Sequence, residues 1–139
     1  MTTPATTPTT APTAAMRRTV RYGDAWHPIR IRMDSFKDTG IPRLKEIADE
    51  EGRPMPMLCP RIRLRLTASS VPDDERIVGE GSLDQVHRDL AELEELGCAY
   101  VLLDTYCDDV EAVRHGETSW RMLAVMAERV LDLANQTVR

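Results

Sequence analysis

Apolar positions recur at helical spacing in some stretches of the chain and at every second position in others, and the switches between these rhythms mark its elements. Leu83, Val86, Leu90 and Leu93 follow at spacings of three, four and three, which is one face of an α-helix. Ser82 and Gln85 ahead of them form an S-x-x-Q capping box, and Gly97 closes the helix. Leu44, Ile47 and Ala48 form a second stripe, with Pro42 tolerated in the first turn and Gly52 and Pro54 past the end. A start near Asp34 would instead place Pro42 inside the helix and kink it. A last helix is predicted from about Thr118 to Ala134, with Trp120, Leu123, Ala127, Val130 and Ala134 on one stripe that Met122, Met126 and Leu133 broaden. Met16 to Tyr22 reads as the end of a short helix stopped by Gly23.

Between these stripes lie strands. Arg61 to Leu66 alternates strictly, with Ile62, Leu64 and Leu66 on one side and Arg61, Arg63 and Arg65 on the other. Ala99 to Leu103 is a nearly continuous apolar run, the pattern of a parallel strand buried on both faces, with Asp104 at its carboxyl end. Asp24 to Pro28 supplies a short first strand. Strand, helix, strand, helix, strand, helix predicts an α/β fold with a parallel sheet.

Composition changes this picture at one end. Met1 to Ala15 holds seven Thr, three Pro, four Ala and no charge. It offers no large side chain to offset the entropy of ordering and is expected to be a disordered tail, with residues 16–139 as the folded domain. Met16, followed by Arg17 and Arg18, is an alternative start. The 139 residues carry 18 basic and 23 acidic side chains, a net charge of −5. The length falls short of the roughly 250 residues of a complete eight-fold barrel. The acidity argues against nucleic acid as a partner. No apolar run approaches the roughly 20 residues of a membrane span. Three scattered cysteines form no CxxC pair, so a reduced, cytoplasmic protein is expected.

Arg21-Tyr22-Gly23-Asp24-Ala25-Trp26-His27-Pro28 resembles the R-Y-G-D-G-W-x-P stretch of the bacterial luciferase-like oxidoreductases (luciferase-like monooxygenases), above all their coenzyme F-420-dependent members, with Ala25 standing where the pattern has glycine. Leu44 to Arg53 is similar to the family's helix ending in E-x-G-R-D-P, although Met55 follows Pro54 where the spacing has slipped. Gly81-Ser82-Leu83-Asp84-Gln85-Val86 resembles its G-T-P-E-Q-V helix start. Leu96 to Leu103 resembles its closing A-G-V-x-x-x-V-L strand. The four motifs span nearly all of residues 16–134. The resemblance implies a partial TIM (β/α) barrel made of about the last three βα units. It also implies flavin- or F-420-dependent hydride transfer or monooxygenation of a small organic substrate. The units that open the barrel have no counterpart here, so the lone chain is expected to be truncated and inactive. The alternative is a non-catalytic module, a half-barrel that completes a partner chain or self-associates.

In such barrels the site lies at the carboxyl ends of the strands. His27 is then the catalytic candidate, as hydrogen-bond or proton donor, against a solvent-facing loop histidine. Trp26 is a candidate to pack on F-420 or FMN, against a tryptophan wedged between sheet and helix. Asp24 is a second cofactor-binding candidate, against a carboxylate bonded to nearby backbone or an arginine. Arg61, Arg63 and Arg65 either approach an anionic cofactor tail or lie on a wet sheet face. His87 and His115 are expected at the surface, and the three cysteines as small packing residues. The histidines lack helical i, i+4 partners, so no metal site is expected.

Overall fold

The computed structural model describes residues 13–139. Helix α1 spans Thr13–Tyr22, and Gly23 N–H donates to the Thr19 carbonyl at 2.8 Å as the chain leaves it. The helix thus begins three residues inside the segment expected to be a disordered tail; the rest of that segment lies outside the described residues. Met16, at the expected domain boundary, is a buried core residue.

Strand β1 (Ala25–Trp26) leads into a helical stretch that starts at α2 (Met33–Ser35) and continues through a π-turn, Phe36–Gly40, into α3 (Ile41–Glu51). The early start places Pro42 inside a helical run. A proline there has no N–H and crowds the carbonyl four residues back. The chain answers by widening: Ile41 N–H donates to Phe36, five residues back, which is a π-bulge rather than a kink. Gly52 ends α3 in the left-handed conformation (φ 63°), and Arg53 N–H bonds to the Ala48 carbonyl at 3.0 Å, as a helix stop of this kind requires.

Strands β2 (Met57–Leu58), β3 (Arg61–Arg63) and β4 (Arg65–Leu66) follow one another, separated first by Cys59 and Pro60. Pro60 lacks a ladder donor, but its carbonyl accepts from Leu102 N–H at 3.0 Å. Beyond them lie β5 (Glu80–Gly81), α4 (Leu83–Glu95) and β6 (Leu102–Asp104). The pairings are parallel: β1 with β2, β3 with β6, and β4 with β5. Residues 57–66 therefore run between β1 on one flank and β6 on the other, and no barrel closes among the described residues. The capping box on α4 is formed as predicted, with Ser82 Oγ accepting from Gln85 N–H and Gln85 Oε1 accepting from Ser82 N–H.

One face of these strands is dry and the other wet. Ile62 and Leu64 are buried in a core with Val20, Leu44, Ile47, Val86, Leu93 and Met126. Arg61 and Arg65, at alternate positions, are exposed. The predicted third strand is shifted and only half covered. It is assigned at Leu102–Asp104, and Tyr100 and Leu102 stay 62% and 48% exposed. Sequence patterning expects cover on both faces of an apolar strand, and only the helical layer is present here.

The carboxyl end also departs from expectation. Helix α5 (Val110–His115) precedes α6 (Glu117–Arg129), which stops before Val130. An antiparallel hairpin, β7 (Leu131–Asp132) with β8 (Thr137–Val138), replaces its predicted last turn. Its turn is fixed by Asp132, whose carboxylate accepts from the Asn135 backbone at 3.2 Å and side chain at 2.8 Å. Met126 and Val130 are buried as predicted, but Trp120 is 73% exposed and Leu133 also faces solvent. Among the described residues no helix is long and apolar enough to cross a membrane.

Candidate functional site

The sheet positions the candidate residues through its first strand. Trp26 pairs with Leu58 and turns its ring to the dry face, where it is 7% exposed. Its rings stack on Phe36 with centroids 5.7 Å apart and an interplanar angle of 25°. The far edge rests on Gly40, where an added Cβ would lie 3.0 Å from the indole Cη2. The tryptophan is thus wedged between sheet and helix. The signal for this was present in Phe36 and Gly40, an aromatic and a notch four residues apart on one helical turn.

His27, the next residue, is exposed and turned the other way. Its Nδ1 lies 2.7 Å from the Cys59 carbonyl. A carbonyl only accepts, so Nδ1 carries the hydrogen, and Nε2 of the neutral ring is left as an acceptor. It becomes a donor there only when the ring is protonated. The Asp24 carboxylate has no hydrogen-bond or ion-pair partner among the described residues, while its carbonyl accepts from Met57 N–H at 2.9 Å. Asp24, Trp26 and His27 are neighbours in sequence but do not converge on one point: the first and third face solvent, and the second faces the core.

The three arginines divide. Arg61 reaches across to Asp104, its Nε and Nη2 donating to one carboxylate oxygen at 3.0 and 2.7 Å. Partial burial pushes the Asp104 carboxyl up, but the Tyr106 N–H, Arg61 and Arg63 outweigh it and hold it below the ordinary aspartate value. Arg63 is largely covered, 3.9 Å from Asp108. Arg65 is exposed and borders a hollow of about 340 Å³ at the carboxyl ends of β4 and β6, with Thr105, Cys107, Asp108 and Ser119. His87 Nε2–H donates to the Arg139 carbonyl at 2.7 Å, and His115 lies 3.6 Å from Glu111 at the surface. Cys59 is buried, while Cys98 and Cys107 are half-buried. Burial, and then the neighbouring Cys59, pushes the Cys98 thiol up to about 11.

Two grooves flank the sheet, and neither was legible from residue patterns. One, of about 510 Å³, runs along the outer edge of β1 between α1 and the α2 segment and is bordered by Trp26, His27, Ile29, Arg32 and Phe36. The other, of about 320 Å³, runs along the outer edge of β6 against the carboxyl-terminal hairpin. No known family model, curated protein or solved structure matches the chain.

These residues do not fit a flavin or deazaflavin. The Trp26 ring is spent on Phe36 and Gly40, and Arg61 is committed to Asp104. What the arrangement offers is a wet sheet face carrying Arg61, Tyr100, Leu102 and Asp104, and two strand edges with room beside them.

Proposed function

We propose that the chain is a barrel-forming segment of luciferase-like oxidoreductase descent, contributing three consecutive βα units of a (β/α) barrel whose remaining strands lie beyond the described residues. In that reading the intact assembly carries out hydride transfer between F-420 or FMN and a small organic substrate. This chain supplies one wall of the barrel and no coenzyme grip of its own. The observation that carries the reading is the one-sided sheet. β1 and β6 flank residues 57–66 in parallel pairings, with β5 beside β4 on the β1 flank; Ile62 and Leu64 are buried against helices, while Arg61, Tyr100 and Leu102 look out from the other face. A face left uncovered in three strands becomes the interior when a barrel closes.

Magnitudes support a wall rather than a lone catalyst. Micromolar affinity requires about −8 kcal/mol net. One aromatic contact gives about 0.5–1.5 kcal/mol beyond area burial, and a charge-assisted hydrogen bond about 1.5–3. Association itself costs at least about 4. With Trp26 turned inward, even the aromatic contribution is missing.

The test is a titration of F-420 and of FMN, followed by cofactor fluorescence, against the chain alone and against the chain mixed with the amino-terminal βα units of a luciferase-like oxidoreductase. No binding alone and binding in the mixture are expected. Micromolar binding by the chain alone refutes the wall assignment, and no binding in either arm refutes the oxidoreductase descent.

A further inference from the structure

Residues 131–139 answer to two competing sets of interactions. By periodicity the buried stripe of α6 runs on past its end. Leu133 and Ala134 stand three and four residues beyond Val130, and Leu133 stands seven beyond Met126. A helix continued to Ala134 would set both over side chains that are fully buried, because residues at these spacings share one face. Leu131, Leu133 and Ala134 are good helix formers, and Asn135 suits the left-handed stop that would follow. Val130 itself is still in helical register, its N–H bonded to the Met126 carbonyl at 3.0 Å.

The structure shows the β7–β8 hairpin there instead. Its strands have two residues each, and a ribbon that short is marginal without outside support. It leaves Leu133 66% exposed and holds Gln136 at φ 55°, a conformation that residues other than glycine seldom adopt. Anchors outside the ribbon offset these losses. The Glu94 carboxylate, in the last turn of α4, accepts from Val138 N–H at 2.9 Å and from the Thr137 hydroxyl at 2.8 Å. His87 donates to the Arg139 carbonyl, and Leu131 and Val138 pack on the margin of the core. The Asp132 carboxylate closes the turn onto Asn135. The Val130 carbonyl, which takes Arg139 N–H at 2.8 Å in the hairpin, would take Ala134 N–H in a continued helix. One backbone conformation excludes the other.

We propose that residues 131–139 are a two-state switch, with one state the hairpin latched on α4 by Glu94 and the other an extension of α6 to Ala134. The hairpin state satisfies Glu94 and Asp132; the helical state buries Leu133 and relieves Gln136. Thr137 and Val138 wall the groove along β6, and in the helical state they leave it, so the groove opens on that side. Whatever claims the Glu94 carboxylate biases the chain towards the helix, because it interacts with one state and not the other. The switch stands apart from the coenzyme reading, so either can fail alone.

Backbone carbon chemical shifts and methyl contacts read the two states directly. The wild-type chain is expected to show extended shifts at Leu131, Asp132, Thr137 and Val138. Glu94→Ala removes the latch, and Asp132→Ala removes the two bonds of the turn. Glu94 is exposed and Asp132 is half-buried, both outside the core, so unchanged methyl spectra of Ile62 and Leu93 are expected to show the variants folded. Each single change is expected to raise the ratio of helix to hairpin about tenfold, the effect of losing one net hydrogen bond. In the double variant helical shifts are expected over 131–134 as the main form, with the Leu133 methyls in contact with Met126 and Val130. A double variant that keeps the hairpin shifts overturns the proposal. So does one whose residues 131–139 take coil shifts while the core stays folded. A Glu94→Ala chain with no rise in helical population, read by relaxation dispersion, overturns it equally.

Discussion

Asp89→Ala is expected to be among the most damaging single changes to this molecule, because it removes the buried carboxylate that holds the half-buried Arg76 and leaves that cation with only the exposed Asp73. Asp89 is 3% exposed on the inner face of α4. Its two oxygens accept from Arg76 Nη1 at 2.6 Å and Nη2 at 2.8 Å, and Oδ2 also accepts from Gly79 N–H at 3.0 Å. Arg76 spends a further bond on the Glu80 carbonyl, so this pair, together with the Gln85 side chain on the Val71 backbone, holds the 67–79 loop onto the helix and positions β5. Gly79 has φ +94° and a Cβ there would meet the Arg63 carbonyl at 2.7 Å, so the loop has no room to shift. Breaking one side of a buried pair costs about 3–5 kcal/mol, against a total of about 5–15 for a domain of this kind. Urea unfolding is expected to show that loss as a lower midpoint at unchanged slope. Asp89→Asn keeps an acceptor for Gly79 and is expected to lose less, by about 1–3 kcal/mol, the cost of leaving one buried polar group unpaired. In both variants Arg76, only 12% exposed in the native chain, becomes a trypsin site and the loop is nicked there first. An Asp89→Ala midpoint equivalent to less than about 1 kcal/mol of lost stability would refute the burial argument, as would wild-type resistance at Arg76.

Three further outcomes follow from other contacts. The hydrogen bonds from Arg21 and Arg17 hold the Glu51 carboxyl at about 2, below its ordinary 4.5. That pair stabilises the native state above pH 4.5 and fades as pH falls towards 2, so wild-type and Glu51→Gln melting temperatures are expected to differ near neutrality and converge near pH 2. With its thiol pushed up to about 11 by burial and by Cys59, Cys98 is expected to resist iodoacetamide at pH 8 in the native chain and to react once urea unfolds it, as peptide mass spectrometry will read. Trp26→Ala is expected to destabilise by about 3–5 kcal/mol. In a Trp120→Phe background the remaining Trp26 emission is expected to be blue-shifted and protected from acrylamide; a fully quenchable signal would contradict its burial.

What was legible in the chain was whatever local chemistry dictates. The α4 capping box needs only Ser82 and Gln85 three residues apart, and the dry side of 61–66 needs only alternation, so both stand where the pattern put them. What was not legible depends on partners distant in sequence. The apolar run at 99–103 signals a strand covered on both faces, yet Tyr100 and Leu102 are exposed, because cover is a property of neighbours and not of the run itself. The same holds for the last helix: its stripe runs on to Ala134 by periodicity, but Glu94 draws the chain end away, accepting from Val138 N–H at 2.9 Å and from the Thr137 hydroxyl at 2.8 Å. The site candidates divide on this line too. Asp24, Trp26 and His27 share a motif, and a strand sends consecutive side chains to opposite faces. Extension therefore separates Trp26 from His27, while Asp24 lies ahead of β1, where the chain leaves α1, and is exposed for that reason. The β1 groove arises from the reverse effect: Ala25 and Ile29 carry no chemistry in their side chains, and it is the pairing register of β1 with β2 that leaves this strand edge lining a groove.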